Sequence, residues 1–474
     1  MLRRFRLLRP CLLIAVVIGT TSIVGAADTL EAGMGVANIT PKLDPGQPIW
    51  LAGKDHNRAA TGVHDPLYAR ALVLRAGGRK IALVSVDSIG LPYPSVQRAR
   101  AQLKDFAYVL VASTHSHESP DVIGVWGPSP AVSGVVPDYV RLVETKTVEA
   151  VRQADAAAVG VRAEYGTADD QSLLADYRLP EVYDSVLRVL RFVRLSDGKA
   201  HGLLVQWNSH GVEPKNNLLV SRDFMGVTVD RLEKRHGCHV VYFQGAIGGL
   251  MGTPEPSSLI AKSGQTPTDS FDFIRICGEA IAGLADRALK DARPITLTPL
   301  EVFARPITIP MANEGFRAAR AGGVLPRPVY AWTGRRDERG DEIALGKTDG
   351  AQAMETEVAY LRLGELDVAA IPGELYPELV YGTFQEPADT SADFPAAPLE
   401  QPIARILPSA KLLVLGLAND EIGYIVPKRQ WDVLPPFAYG RTRAQYGERN
   451  SVGPETARML MEALADRVAE APGR

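Results

Sequence analysis

The sequence predicts an α/β protein of layered mixed β-sheets with flanking helices. Three observations carry that reading. In the first half of the chain, short apolar runs bounded by turn residues alternate with runs whose apolar residues fall three and four apart, the succession expected where helices cover a sheet. From about Pro294 onward the pattern becomes strand-rich. The composition, 46% hydrophobic and 23% charged over 474 residues, is that of a globular protein with a sizeable core.

The chain opens on "MLRRFRLLRPCLLIAVVIGTTSIVGAADTL", with a basic start, a short apolar centre and a small-residue exit at Val24-Gly25-Ala26-Ala27. This is a secretory signal pattern over residues 1–27. Its apolar run, Cys11 to Ile18, is too short for a membrane span, and no later segment offers the roughly 18 uninterrupted apolar residues one needs. Residues 28–474 are read as one exported domain, periplasmic or extracellular.

"ARALVLRAG" from Ala69 and "KIALVSVDSIGL" from Lys80 read as consecutive strands turning at Gly77-Gly78. "PSVQRARAQLK" from Pro94 has helical spacing, and "AYVLVAST" is the next strand. "PDYVRLVETKTVEAVRQA" from Pro137 is a helix with proline at its start. "DSVLRVLRFVR" and "AHGLLVQWNSHG" form a hairpin turning at Asp197-Gly198. "CHVVYFQGAIGGLMG" is a strand running into a glycine-rich turn, and "DSFDFIRICGEAIAGLADRALKDA" is a helix. "LEVFARPITIP", "TEVAYLRLGELDVAAIPG" and "AKLLVLGLAND" are strand runs. The acidic, proline-rich stretch from Gln385 to Pro402 reads as a surface loop, and "PETARMLMEALADRVAEA" as an amphipathic helix.

A net charge of −3 does not suggest a nucleic-acid partner. After the signal, Cys238 and Cys277 remain, as consistent with one disulfide as with two buried thiols. A metal would therefore use histidine and oxygen ligands rather than a cysteine cluster. The sequence contains no HExxH and no GxSxG. In "GDEIALGKTDG", Gly340 and Gly346 are one residue too far apart for a phosphate loop.

The chemistry gathers at strand ends. In an extended strand, residues two apart share a face, so His115 and His117 of "ASTHSHESPD" are expected to share one where the strand becomes a loop. That suits a metal pair, or one ligand beside one catalytic histidine; two histidines bonded to loop carbonyls fit equally well. His210 follows a second apolar run, in "LLVQWNSHGVEPKNN". A zinc hydrolase centre needs about three or four protein ligands and an open position. Oxygen candidates are Glu374 in "AAIPGELYPEL" and Tyr424 in "GLANDEIGYIVP". Taken alone, Glu374 reads equally as a carboxylate at a helix start, and Tyr424 as a core ring.

In order, these motifs resemble the neutral/alkaline non-lysosomal ceramidase family, in its N-terminal catalytic domain. "GMGVANITPK" and "GVHDPLYARALVL" resemble its opening, and "VSVDSIGL", with Asp87, a strand of the family. "STHSHESPD" and "NSHGVEPKNNLLVSRDFMG" resemble its two histidine boxes, and "IPGE", "GLANDEIGYI" and "QYGERNS" its last three boxes. The resemblance implies a ceramidase-like fold without the family's C-terminal immunoglobulin-like domain. It implies an exported zinc-dependent hydrolase that cleaves the amide of an N-acyl, ceramide-like substrate, with zinc-bound water as nucleophile. Zinc would be held by His115, His210, Glu374 and Tyr424. His117, Arg178 and Tyr446 would be catalytic, His117 as acid, base or oxyanion partner. The implied partner is a small N-acyl or lipid-like molecule, met with peripheral contact to a membrane surface.

Two departures stand out. In "GAIGGLMGTPE", Gly249 and Met251 occupy the places of a family aspartate and serine, and the glycines read as a pocket wall. Glu118 and Asp121 stand where the family has small residues. As rim carboxylates they would repel an anion or bind hydroxyls or an amine, which weighs against ceramide itself. The altered turn leaves open a non-catalytic carbohydrate- or lipid-binding relative, and a hydrolase of a different ester or amide is a further alternative.

Overall fold

The computed structural model describes residues 29–473 except 215, 250 and 349. The signal segment read at residues 1–27 lies outside the described residues. The predicted layering is present. A nine-stranded sheet runs, in spatial order, His239–Gln244, Ala200–Trp207, Val186–Arg194, Val159–Asp169, Glu31–Asn38, Tyr68–Ala76, Arg79–Val86 and Tyr108–Ser113, with Arg293–Ile295 paired to Val159–Asp169. A six-stranded sheet runs Glu342–Ile343, Val329–Ala331, Gln352–Leu363, Leu366–Ala370 and Leu412–Leu415, with Leu300–Pro310 paired along Gln352–Leu363. Both are mixed: Arg79–Val86 is parallel to Tyr108–Ser113, and Leu366–Ala370 to Leu412–Leu415. At the Gly77-Gly78 turn both residues take positive φ, 56° and 72°, the twist a two-residue hairpin requires.

The two sheets pack face to face. Leu72, Leu83, Leu110, Leu204 and Phe243 of the first share a buried cluster with Leu361, Leu363, Val368 and Leu413 of the second. The alternate residues Ala71, Val73, Val84 and Val111 point outward, against Val143, Ala150 and Ala154 of the helix Pro137–Ala156. Strands buried on both faces read as continuous apolar runs, which is why they were visible in the sequence. Helices Asp223–His236 and Ser270–Lys290 cover the rest of that outer face. Helix Thr456–Ala469 covers the far side of the second sheet. The result is four layers: helix, sheet, sheet, helix. Cys238 and Cys277 are both free. Among the described residues, no helix is long and apolar enough to cross a membrane.

Candidate active site

Loops leaving the ends of five strands meet at one place. The Gln244 side-chain amide donates to the carbonyls of Thr114 (3.0 Å) and Ser209 (2.7 Å). The N–H groups of Gly416, Ser113 and Leu417 donate to the carbonyls of Gln244, Leu417 and Gly373. These bonds lace together the segments that carry His115, His210, Glu374 and Tyr424, at the strand ends where α/β proteins place their sites.

The strand before His115 ends at Ser113, so strand alternation is not what unites the two histidines. His115 instead takes a left-handed backbone, φ 64°, a strained state for a residue with a side chain and one that clusters at functional turns. The turn brings the rings of His115 and His117 edge to face at 4.8 Å between centroids. The His210 ring lies 4.8 Å from His115 and 5.8 Å from His117. Among the described residues, these three form the group that could share a metal ion, with donor atoms within 4.8 Å of one another.

Two of the rings are held from behind. His115 Nδ1 meets the Ile89 carbonyl at 2.6 Å, and His210 Nδ1 the Met251 carbonyl at 2.8 Å. A carbonyl only accepts, so each Nδ1 carries the proton and each Nε2 faces the other way. Glu374 and Tyr424 are direct register partners in the short parallel strands Glu374–Leu375 and Tyr424–Ile425. Glu374 Oε2 stands 2.8 Å from His210 Nε2 and 3.6 Å from His115 Nε2, and the Tyr424 hydroxyl is 3.3 Å from His210 Nε2. All four side chains are buried. Burial lowers His115 to about 3, so its Nε2 offers a lone pair at neutral pH. Burial also disfavours a charge on His210, but the hydrogen bond and charge of Glu374 outweigh it and raise that histidine. Two imidazoles, a carboxylate and a phenol turned toward one point are a donor set that fits zinc.

His117 belongs to the same cluster of rings but has different neighbours. Its Nδ1 is 2.9 Å from Glu213 Oε1, an ion-pair separation rather than a well-aligned hydrogen bond, and both ring nitrogens are buried with no hydrogen-bond partner, Nε2 having no ion-pair neighbour either. Gly53, with φ 89°, lies flat against the ring: a Cβ there would be 2.3 Å from His117 Cγ. Burial opposes ionisation of Glu213, but His117, His210 and Lys54 together hold it well below the usual carboxylate range. Lys54 also donates to the Glu213 carbonyl.

A cavity of about 560 Å³ adjoins the histidines. Ile89, Ile123, Trp126, Phe316, Leu325 and Met354 give it an apolar wall, and His115, His117, Glu374, Tyr424 and Tyr446 line it too. Tyr446 is 53% exposed and sits edge-on to Tyr424 at 5.5 Å.

Arg178 lies outside this lining. It is buried, forks onto Glu448 at 2.7 and 3.0 Å, and donates to the carbonyls of Tyr446 (2.6 Å) and Gln430 (2.9 Å). The geometry gives it the task of holding the Tyr446 loop. Arg178→Ala strands a buried carboxylate and is expected to cost about 3–5 kcal/mol of stability, read from urea unfolding; unchanged stability would show the pair to be incidental.

Beneath the same loop, Glu378 is fully buried, with one oxygen on Gln430 Nε2 (2.6 Å) and the other unpaired. Burial raises its carboxyl from 4.5 to about 7. Across that window the native state keeps a proton that the unfolded chain has released, so stability falls as pH rises. Glu378→Gln is expected to flatten this fall, gaining up to about 3 kcal/mol over wild type between acid and pH 8. Unfolding measured at both ends of the window checks it, and equal slopes would contradict it.

Two expectations need correction. Glu118 and Asp121 are not rim carboxylates: both are buried and neither lines the cavity. Asp121 accepts the N–H groups of Ile123, Gly124 and Trp126 and so ties its own loop, and Glu118 lies 3.6 Å from Arg58. The turn with Gly249 and Met251 does not line the cavity either; it stands behind His210 and contributes the Met251 carbonyl. Glu213, Lys54 and Gly53 went unrecognised, although Glu213 lies three residues past His210 in the same polar loop.

A histidine, carboxylate and phenol cluster beside an apolar cavity, at the strand ends of a four-layer α/β frame, defines a candidate metal centre. The frame is that of the neutral ceramidases. Neutral ceramidase from Pseudomonas aeruginosa matches with a TM-score of 0.70 and 16% identity, over 94% of this chain and 74% of that one. A structure described as ceramidase complexed with C2 matches with a TM-score of 0.65 and 16% identity, over 93% and 75%. No protein-family model and no curated protein matches the chain.

Proposed function

We propose that the protein is an exported, zinc-dependent hydrolase of the amide bond of an N-acyl substrate, ceramide or a close relative. The observation that carries this is the convergence of His115, His210, Glu374 and Tyr424 beside an apolar cavity; the neutral-ceramidase-like fold and the signal pattern support it. Zinc bound there would polarise the scissile carbonyl and bring the pKa of water toward about 7.

The remaining work falls to the chain's own residues. The Ile89 and Met251 carbonyls keep the two ligand rings in one tautomer and orientation. Glu213 favours a proton on Nδ1 of His117 and leaves Nε2 for the reacting groups. His117 takes a proton from the attacking water and returns it to the leaving nitrogen. Partial burial, with the charges of Glu374 and Glu213, raises the Tyr446 phenol, so it stays an O–H donor for the carbonyl oxygen as charge develops there. The apolar wall receives the acyl chain. The presence of Gly249 and Met251 in this turn is compatible with that arrangement, because what the turn contributes is the Met251 main-chain carbonyl.

The test is to incubate the purified protein with a panel of N-acyl amides that includes ceramide and to follow the released amine by mass spectrometry. Cleavage that stops on chelation and returns with zinc supports the proposal; no cleavage of any amide by zinc-loaded protein refutes it.

A further inference from the structure

The cavity wall is not uniformly apolar. Glu421 lies in it, and nothing above uses that residue. The side chain is buried. Its Oε1 accepts the Gly423 N–H at 2.7 Å, while Oε2 has no hydrogen-bond partner. Arg327 lines the same cavity, but its two terminal nitrogens are committed to Asp420, at 3.1 and 2.8 Å. The Arg327 Nε is likewise buried without a partner. An acceptor and a donor left unpaired in an apolar wall are each costly, and the cavity beside them is where a partner would sit.

The position of Glu421 is set by glycine. A Cβ on Gly90 would fall 2.4 Å from the Glu421 Cβ and 3.3 Å from Ile123 Cδ1. Glu421 therefore packs against the Ile89–Gly90 step, and the Ile89 carbonyl is the one that holds His115. Its free oxygen thus belongs to the reacting end of the cavity. A hydroxyl matches what is found there: its hydrogen is donated to Oε2, and its oxygen accepts from a guanidinium N–H. An ammonium group is the poorer match, because Arg327 lines the same space. A plain methylene chain would leave both groups dry and unpaired.

We propose that Glu421 is a specificity-determining residue that receives a hydroxyl on the acyl chain close to the scissile carbonyl, so that the substrates are N-(hydroxyacyl) amides. This rests on the amide-hydrolase reading above. Binding is tested without turnover, by calorimetry of the full protein with dodecanoic acid and with its 2-hydroxy and 3-hydroxy derivatives. Wild type is expected to bind one of the hydroxy acids about tenfold more tightly than the plain acid. Glu421→Gln, whose one amide oxygen is taken by the Gly423 N–H and whose amide nitrogen then stands where Oε2 accepted, is expected to weaken that preference, and Glu421→Met to lose it.

Equal affinity of wild type for all three acids overturns the proposal, and that ratio decides the matter even if Glu421→Met fails to fold. A preference that survives in a folded Glu421→Met protein overturns it as well. The two readings fail separately. A protein that binds a hydroxy acid selectively and cleaves no amide refutes the hydrolase and leaves the subsite. An amidase indifferent to the hydroxyl refutes the subsite and leaves the hydrolase.

Discussion

His115→Ala is expected to emerge from purification without zinc and with amide turnover at least about 10³-fold below wild type. The ring it removes is buried, neutral at working pH, and held by the Ile89 carbonyl with Nε2 toward Glu374. The hole left by one imidazole is bordered by buried polar groups, so some stability is lost too. The decisive reading is the zinc-to-protein ratio by mass spectrometry on folded protein, alongside turnover. A variant that kept stoichiometric zinc would remove His115 from the ligand set.

His117→Ala is expected to behave differently: zinc retained near one per chain, turnover down about 10²–10⁴-fold. The contrast comes from what stands around each ring. His115 and His210 are braced by carbonyls and turn Nε2 toward Glu374; His117 is braced by Glu213 and leaves Nε2 free. The three rings are close enough to share one ion, so geometry also admits His117 as a ligand, and the metal content of this one variant separates the two arrangements. Loss of zinc together with turnover would make His117 a ligand and leave the proton work to another group.

Much of the frame was legible in the sequence because its strands are covered on both faces and so appear as unbroken apolar runs. The proposed ligands were legible for a related reason: each follows such a run, and strand ends are where this class of fold exposes side chains. What escaped was set by contacts far apart in the chain. Arg178 looked available for substrate, but its partner Glu448 lies 270 residues away, and no local pattern announces that pair. Glu374 and Tyr424 read as separate candidates until their strands were seen to pair in register. Glu118 and Asp121 looked like rim charges because charge suggests exposure; three main-chain N–H groups pull Asp121 inward instead. The pairing of His115 with His117 was expected for the wrong reason, since a left-handed turn does what strand alternation was credited with.

The most direct test of the metal centre is an anomalous-difference map, recorded at the zinc edge, from a crystal of the zinc-loaded protein. One peak is expected, within about 2.0–2.2 Å of Nε2 of His115, Nε2 of His210, a Glu374 oxygen and the Tyr424 oxygen, with His117 outside bonding distance. An empty map at this cluster, or a peak bound through His117 in place of Glu374 and Tyr424, would contradict the account.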